Sequence, residues 1–246
     1  MYNFFANKVN VSGDVVTLTG NDYNHIKNVL RLKSGDRFSV SVDGENNLCE
    51  LMSFTDNTVI CKIVEKNFLD TSLPIKIALF QGLPKSDKLE LIIQKTVELG
   101  VEEIIPVEMK RCVVKIENNK KKSKTERWNA ISESAAKQCK RAIIPNVREP
   151  LSFNNALSLA KEYTHVLVPY ECHNGMTATK EALSEIKPGD SVAIFIGPEG
   201  GFDDNEIALL TETRAKTISL GKRILRTETA SITAVSMLML YAEINL

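Results

Sequence analysis

The sequence has few cysteines and no pairing pattern among them. Its 5 cysteines (Cys49, Cys61, Cys112, Cys139 and Cys172) are odd in number and widely scattered. None forms a Cys-x-x-Cys pair, so zinc and dithiol chemistry lack support and reduced, partly buried thiols are expected. The 3 histidines build no His-Glu-x-x-His or related ligand spacing, so no metal is expected. No uninterrupted apolar run approaches about eighteen residues, which argues against a membrane-spanning helix. The opening MYNFFANKVN lacks a basic region followed by an apolar stretch, so the expected compartment is the cytoplasm. An excess of either charge is also missing, with 31 Lys+Arg against 31 Asp+Glu.

What remains is an ordinary globular composition. The 246 residues are 43% hydrophobic and 25% charged, enough for a real core and incompatible with disorder. One large or two smaller domains are expected. Charge is unevenly divided, however. Residues 109–148 hold 12 basic and 3 acidic residues, whereas residues 149–246 hold 8 basic and 13 acidic. Lys120, Lys121, Lys122, Lys124 and Arg127, followed by Lys137, Lys140, Arg141 and Arg148, form one local basic stretch. A solvated helix face and a phosphate-contacting surface are both consistent with it.

Two textures follow one another along the chain. Residues 1–72 read as short strands and turns: Val15–Thr19, then a helical stripe of Tyr23, Ile26, Val29 and Leu30, then Arg37–Val42. Asp43-Gly44 predicts a hairpin into Leu48–Phe54, followed by Thr58–Val64, so a small β-barrel or sandwich is expected. From Leu73 strands alternate with helices. Ile75–Phe80, Glu103–Val107, Thr164–Pro169, Ser191–Ile196 and Lys216–Leu220 are the strands, with helices near 125–141, 152–162, 177–186 and 203–213. Another helix is expected from a Ser86 cap to Gly100. This pattern predicts a mainly parallel α/β sheet over residues 73–246. The helix at 229–244 is apolar on nearly every face (Ile232, Val235, Met237, Leu238, Met239, Leu240) and must be buried in the core or against another subunit.

Two glycine-bearing segments leave strands and enter helices. The first is Ile196-Gly197-Pro198-Glu199-Gly200-Gly201-Phe202. It has neither Gly-Lys-Ser/Thr nor Gly-x-Gly-x-x-Gly, and Glu199, Asp203, Asp204 and Glu206 crowd the helix start, which disfavours a phosphate ligand. Asp203 and Glu206 have capping-box spacing. A plain βα turn and a loop holding a neutral or cationic ligand both remain open. The second is Leu220-Gly221-Lys222-Arg223-Ile224-Leu225-Arg226-Thr227-Glu228-Thr229-Ala230. Here Arg226 and Glu228 offer charge and acid–base chemistry, or a structural ion pair. Two such loops in one sheet point to a shared pocket at the carboxyl ends of strands.

IGPEGGF at 196–202 and LGKRILRTETA at 220–230 resemble the two C-terminal motifs of SPOUT-class RNA methyltransferases, and most closely the bacterial 16S rRNA uridine-N3 methyltransferase family. The resemblance extends to QGLPK at 81–85, the helix Leu89–Gly100, SAAKQCKRAIIP at 134–145 and HIKNVLRLKSGD at 25–36, covering almost the whole chain. Asn3 stands where a basic residue is expected, and Lys137 where an acidic one is usual. The resemblance implies a PUA-like RNA-binding β-barrel (1–72) followed by a trefoil-knotted α/β methyltransferase domain (73–246) that dimerises with a second copy. It also implies S-adenosylmethionine as cofactor, held by Val168, Pro169, Tyr170 and Glu171, by Ile196, Gly197, Pro198, Glu199, Gly200 and Gly201, and by Leu220, Gly221, Ile224, Leu225, Arg226, Thr229 and Ala230. The implied partner is 16S rRNA. Arg226 is expected to hold the developing uracil anion, with Glu228 as general base or as the residue orienting Arg226. RNA contacts are expected at His25, Arg31, Lys120, Lys121, Lys122, Lys124, Arg127, Lys137, Lys140 and Arg141. A ribose 2′-oxygen methyltransferase and a non-catalytic RNA-binding assembly protein are the alternative readings.

Overall fold

A computed structural model describes residues 1–170 and 175–246. The chain divides into two compact units, Met1–Ser72 with Ala136–Ile144, and Leu73–Ala135 with Pro145–Leu246.

The first unit is a six-stranded sheet made of β1 (Asn3–Ala6), β2 (Val11–Ser12), β3 (Val15–Thr19), β4 (Arg37–Val42), β5 (Glu45–Thr55) and β6 (Thr58–Glu65). Its order is β1-β4-β5-β6-β3-β2. The pairings are antiparallel except β1 with β4, which run parallel. The Asp43-Gly44 turn joins β4 to β5 with both residues at positive φ (49° and 85°), the left-handed pair that a two-residue hairpin needs. Phe4, Val16, Leu18, Phe38, Val40, Leu51 and Val59 alternate inward to form the core, with the thiols of Cys49 and Cys61 sealed among them.

Two expectations fail in this unit. The helix α1 (Asn21–Asn24) continues into a wider turn, His25–Val29, closed by Leu30 N–H donating to His25 O at 2.8 Å. That five-residue spacing carries Val29 off the apolar stripe and leaves it 63% exposed, while Ile26 is fully buried. The second concerns Ala136–Ile144, which alternation along the chain assigns to the α/β domain but which packs with the β unit. Asn3 Nδ2 donates to Arg141 O at 3.2 Å, and Asn46 Nδ2 donates to Lys140 O at 3.0 Å. Asn3 is therefore an internal tie at the position where the resemblance leads one to expect a basic residue.

The second unit is a parallel sheet of β7 (Lys76–Gly82), β8 (Glu103–Glu108), β9 (Asn146–Val147), β10 (Leu151–Ser152), β11 (His165–Pro169), β12 (Ser191–Ile196) and β13 (Lys216–Ile218). The order is β10-β8-β7-β12-β11-β13, with β9 also paired to β8. Its helices are α2 (Lys88–Glu98), α3 (Asn118–Cys139, its last turn in the first unit), α4 (Phe153–Ala160), α5 (Gly175–Ser184), α6 (Asp204–Glu212) and α7 (Thr227–Asn245). The central strands β7 and β12 are buried along nearly their whole lengths, as expected of strands covered on both faces. Phe80 and Phe195 stack on neighbouring strands with centroids 4.4 Å apart.

Ser86 does not cap α2. It sits at φ 55°, and Asp87 precedes the helix without a side-chain cap. The helix α7 is buried on one side only. Ala234, Val235, Leu238 and Ala242 are inaccessible, whereas Leu240 is 47% and Ile244 76% exposed. Burial within the chain thus covers one side of α7 and leaves Leu240 and Ile244 open. None of the helices among the described residues is long and apolar enough to cross a membrane.

Candidate active site

Parallel strands that end together bring their following loops together, which is why α/β sheets bind ligands at their carboxyl edge. Here β11 ends at Pro169, β12 at Ile196 and β13 at Ile218. The loops that follow enclose a cavity of about 380 Å³ lined by Pro169, Tyr170, Ile196, Gly197, Pro198, Glu199, Gly201, Ile224, Leu225, Arg226 and Ala230, together with Arg111, Phe202 and Thr227. The two glycine-bearing segments do share one pocket.

Other residues expected at the site are not in the lining of this cavity. Val168 is 1% exposed and packs in the hydrophobic core under the sheet. Gly200 is turned onto Arg111, whose Nη1 donates to its carbonyl at 3.3 Å. Leu220, Gly221 and Thr229 are absent from the lining. Glu171 lies outside the described residues.

The 197–203 loop is fastened from beneath. Gln81 is a fully buried polar residue at the end of β7. Its Nε2 donates to Gly82 O at 2.8 Å and to Thr227 Oγ1 at 3.0 Å, and Ser231 Oγ donates to its Oε1. Thr227 Oγ1 in turn donates to Gly197 O at 2.7 Å. One polar chain thus links β7, the first turn of α7 and the glycine loop, and every buried polar atom in it has a partner. A glutamine inside the apolar run IALFQG is the sequence signal that could have found this network.

Three of the four carboxylates around the loop already have partners. Asp203 and Glu206 form the expected capping box on α6. Asp203 lies 3.0 Å from Lys110 Nζ, and that hydrogen bond holds its carboxyl below the usual range. Glu206 accepts from the Lys110 backbone N–H at 2.8 Å. Glu199 accepts from the Lys85 backbone N–H and from Lys88 Nζ, each at 3.1 Å. Burial pushes its carboxyl up, but hydrogen bonds from its own and Lys85's N–H and from Lys88 outweigh that and leave it lowered. The acidic character that the sequence suggests for this loop is therefore balanced by Lys88, Lys110 and Arg111. Pairing weakens the electrostatic part of the case against a phosphate ligand.

Arg226 and Glu228 do not form the ion pair that their spacing allows. Arg226 precedes α7 in an extended conformation (φ −67°, ψ 155°) with no capping bond from its side chain. It lines the cavity, and among the described residues it has no salt bridge. Glu228 lies 3.1 Å from Lys88 Nζ instead. Its own backbone N–H, then Lys88 and the Arg226 charge, hold its carboxyl below the ordinary range against partial burial. The Cys112 thiol is pushed up by burial, the opposite of an activated nucleophile.

The basic candidates fall in both units. On α3, Lys120 pairs with Glu117, Lys121 with Glu108 and Arg127 with Glu90. Among the described residues, Lys122 and Lys124 carry no ion pair. In the first unit Lys137 pairs with Asp22 at 3.1 Å, a structural role for the lysine found where an acidic residue is usual. The backbone carbonyls of Lys140 and Arg141 receive the two asparagine ties described above. His25 and Arg31 are exposed, His25 resting edge-on to Phe4.

An all-parallel α/β unit with a ligand-sized cavity at its strand ends and, in its wall, an arginine without an ion pair among the described residues belongs to the class of cofactor-binding enzyme domains. The sequence places it further within that class. The chain belongs to the RNA methyltransferase family: the model of the family's RNA methyltransferase domain matches residues 71–239, and that of its PUA domain matches residues 18–64. It is 39% identical to the ribosomal RNA small subunit methyltransferase E of Bacillus subtilis over 93% of this chain and 91% of that protein. A crystal structure of a hypothetical protein superposes with a TM-score of 0.90 at 37% identity, covering 98% of each chain. The ribosomal RNA small subunit methyltransferase E of Neisseria gonorrhoeae, crystallised with S-adenosyl methionine, superposes at 0.81 with 29% identity over 98% of this chain and 97% of that one.

Proposed function

We propose that this protein transfers the methyl group of S-adenosylmethionine to N3 of one uridine in the 16S rRNA of the small ribosomal subunit. The observation that carries the reading is the convergence of both glycine motifs and Arg226 on one cavity. Relatives named for small-subunit rRNA methylation and a neighbour crystallised with S-adenosyl methionine support it.

The residues fit the cofactor. The cavity is within the roughly 300–1,000 Å³ typical of small-molecule sites, and Ile196, Leu225 and Pro169 give it apolar walls. Gly201 at φ 69° has open space where a side chain would stand, so a ligand can lie against backbone there. When bound, the cofactor supplies an electrophilic sulfonium methyl. The protein's task is to position the acceptor and stabilise its charge. Uracil N3 must lose its proton before its lone pair can form the new N–C bond. Arg226 holds the resulting anion through a carbonyl oxygen. Glu228, with its carboxyl lowered and beside Lys88, is a poor proton acceptor near neutral pH and serves as a fixed anion that orients the positive side chains. The N3 proton leaves to solvent, and the S–C bond electrons remain on sulfur.

The target base must leave its stack to reach such a cavity. The basic face of α3 holds the RNA backbone, and the PUA domain reads local shape. Lys122 and Lys124, free of ion pairs among the described residues, carry this contact more than Lys120, Lys121 or Arg127. Replacing both by alanine should weaken RNA binding at every sequence and flatten the slope of log affinity against log salt by about 1.5 to 2. Cofactor affinity should stay unchanged. A salt titration with and without the double substitution measures this, and an unaltered slope would remove α3 from the RNA contact. The reading also includes the trefoil-knotted threading of the α/β domain, a cytoplasmic location and a homodimer, for which the uncovered apolar residues Leu240 and Ile244 of α7 are the natural surface.

The deciding experiment compares the modified nucleosides of small-subunit rRNA from cells with and without the protein. The expected result is loss of N3-methyluridine at one position. Loss of a ribose methyl would move the reading to 2′-oxygen chemistry, and no change would overturn methylation of this RNA.

A further inference from the structure

Among the described residues, Lys88, on the first turn of α2, is the side chain that touches carboxylates from both glycine motifs. Its Nζ lies 3.1 Å from Glu199 Oε1 and 3.1 Å from Glu228 Oε2. The two contacts are unequal in what they hold. Glu199 keeps the Lys85 backbone N–H as a second partner, and its loop is also fastened by Thr227 and Arg111. Glu228 Oε2 is sealed from solvent and has no hydrogen bond among the described residues. Lys88 Nζ, 3.1 Å away, is its ion-pair partner among the described residues. A carboxylate oxygen withdrawn from water in this way is costly unless a positive charge stays beside it. Removing Lys88 would leave Glu199 in place and leave Glu228 Oε2 without its counter-charge, free to swing toward water or toward Arg226.

We propose that Lys88 is a positioning residue of the methyl-transfer site, acting through Glu228 by fixing that carboxylate beside Arg226 so that the arginine stays available to the acceptor base. This rests on the methyltransferase reading above and assigns a role to a residue outside both glycine motifs. Without Lys88, Glu228 becomes a competing partner for Arg226, two residues away on the same turn. The arginine is then neutralised within the protein instead of by the substrate. The loss belongs to the chemical step, because the cofactor loop has its own fastenings.

The test uses the full-length protein with Lys88→Met, which keeps most of the apolar stem, and Lys88→Arg, which keeps the charge. Turnover is measured on assembled small subunits at saturating S-adenosylmethionine, and cofactor affinity by calorimetry. Lys88→Met should lower kcat about ten- to thirtyfold, as for loss of a charge-assisted contact, with the cofactor Kd changed less than about twofold. Lys88→Arg should recover most of the rate. In a Glu228→Gln background Lys88→Met should cost little more, since both changes remove one interaction. Unchanged kcat for Lys88→Met, a loss confined to cofactor Kd, or full additivity with Glu228→Gln would each overturn the proposal while leaving the methyltransferase reading intact. Thermal unfolding of each variant identifies misfolding. If Lys88→Met does not fold, the Lys88→Arg rate and its additivity with Glu228→Gln decide the matter. A wild-type protein that binds S-adenosylmethionine but transfers no methyl group would overturn the functional reading and this one together.

Discussion

Arg226→Ala should lower kcat by about a hundred- to a thousandfold, the usual cost of removing one donor aimed at developing negative charge. The fold should barely change. The Arg226 side chain makes no capping bond to α7, and among the described residues it has no salt bridge, so its removal strands no buried partner among them. Thermal unfolding should shift by no more than about 2 °C. Cofactor affinity should fall little, because the cavity's apolar walls and glycine backbone remain. Arg226→Lys should recover only part of the rate, since an ammonium lacks the rigid planar fork of donors that a guanidinium aims at a uracil carbonyl oxygen. Turnover by stopped assay on assembled small subunits, beside calorimetry with S-adenosylmethionine, separates these effects. Normal turnover would take Arg226 out of the mechanism, and a collapse of cofactor affinity with normal kcat at saturation would make it a binding residue.

Much of the α/β unit was legible because its signals are local. Apolar runs such as Ile77–Phe80 and Val192–Ile196 mark strands covered on both faces, and the Asp203…Glu206 spacing marks a helix start whatever surrounds it. The glycine segments were visible as strand-to-helix turns, and a parallel sheet then forces their loops to one edge. What stayed hidden depends on pairs far apart in sequence. β1 is four residues long and its parallel partner is β4, so no hairpin turn announces it. The return of Ala136–Ile144 to the β unit rests on asparagine side chains meeting backbone carbonyls, which leaves no periodicity. Lys88 looks like any helix-surface lysine until Glu199 and Glu228 arrive from two other loops. Val29 failed for a different reason: a stripe drawn at 3.6 residues per turn cannot foresee a wider turn closed by a bond between residues five apart.

The same long-range logic sets the largest expected effect on cofactor binding, at a residue outside both glycine motifs. Gly82 ends β7 directly beneath the 197–203 loop, and a Cβ built on it would lie 2.7 Å from both the backbone N and the Cδ of Pro198, and 2.9 Å from Met109 Sδ. Methionine sulfur can move aside, but Pro198 cannot. Its ring and backbone are one rigid unit, and the adjoining Gly197 carbonyl is tied to Thr227 and through it to buried Gln81. Gly82→Ala must therefore either push the loop off its fastenings or distort β7 in the middle of the sheet. Overpacking of this kind costs about 1–3 kcal/mol. Because the strain falls on the loop that forms the cavity wall, most of it should appear as lost affinity, about ten- to a hundredfold in the Kd for S-adenosylmethionine. Gly201→Ala makes the contrast. At that position no atom lies within 4 Å of the added methyl group, and only the positive φ of 69° opposes it. Its effect on stability should be the modest cost of a left-handed alanine, while its effect on binding reports whether the cofactor occupies that space. If calorimetry finds Gly82→Ala binding the cofactor as tightly as the parent, the loop is free to move away from β7, and the rigid cradle assumed for the site is wrong.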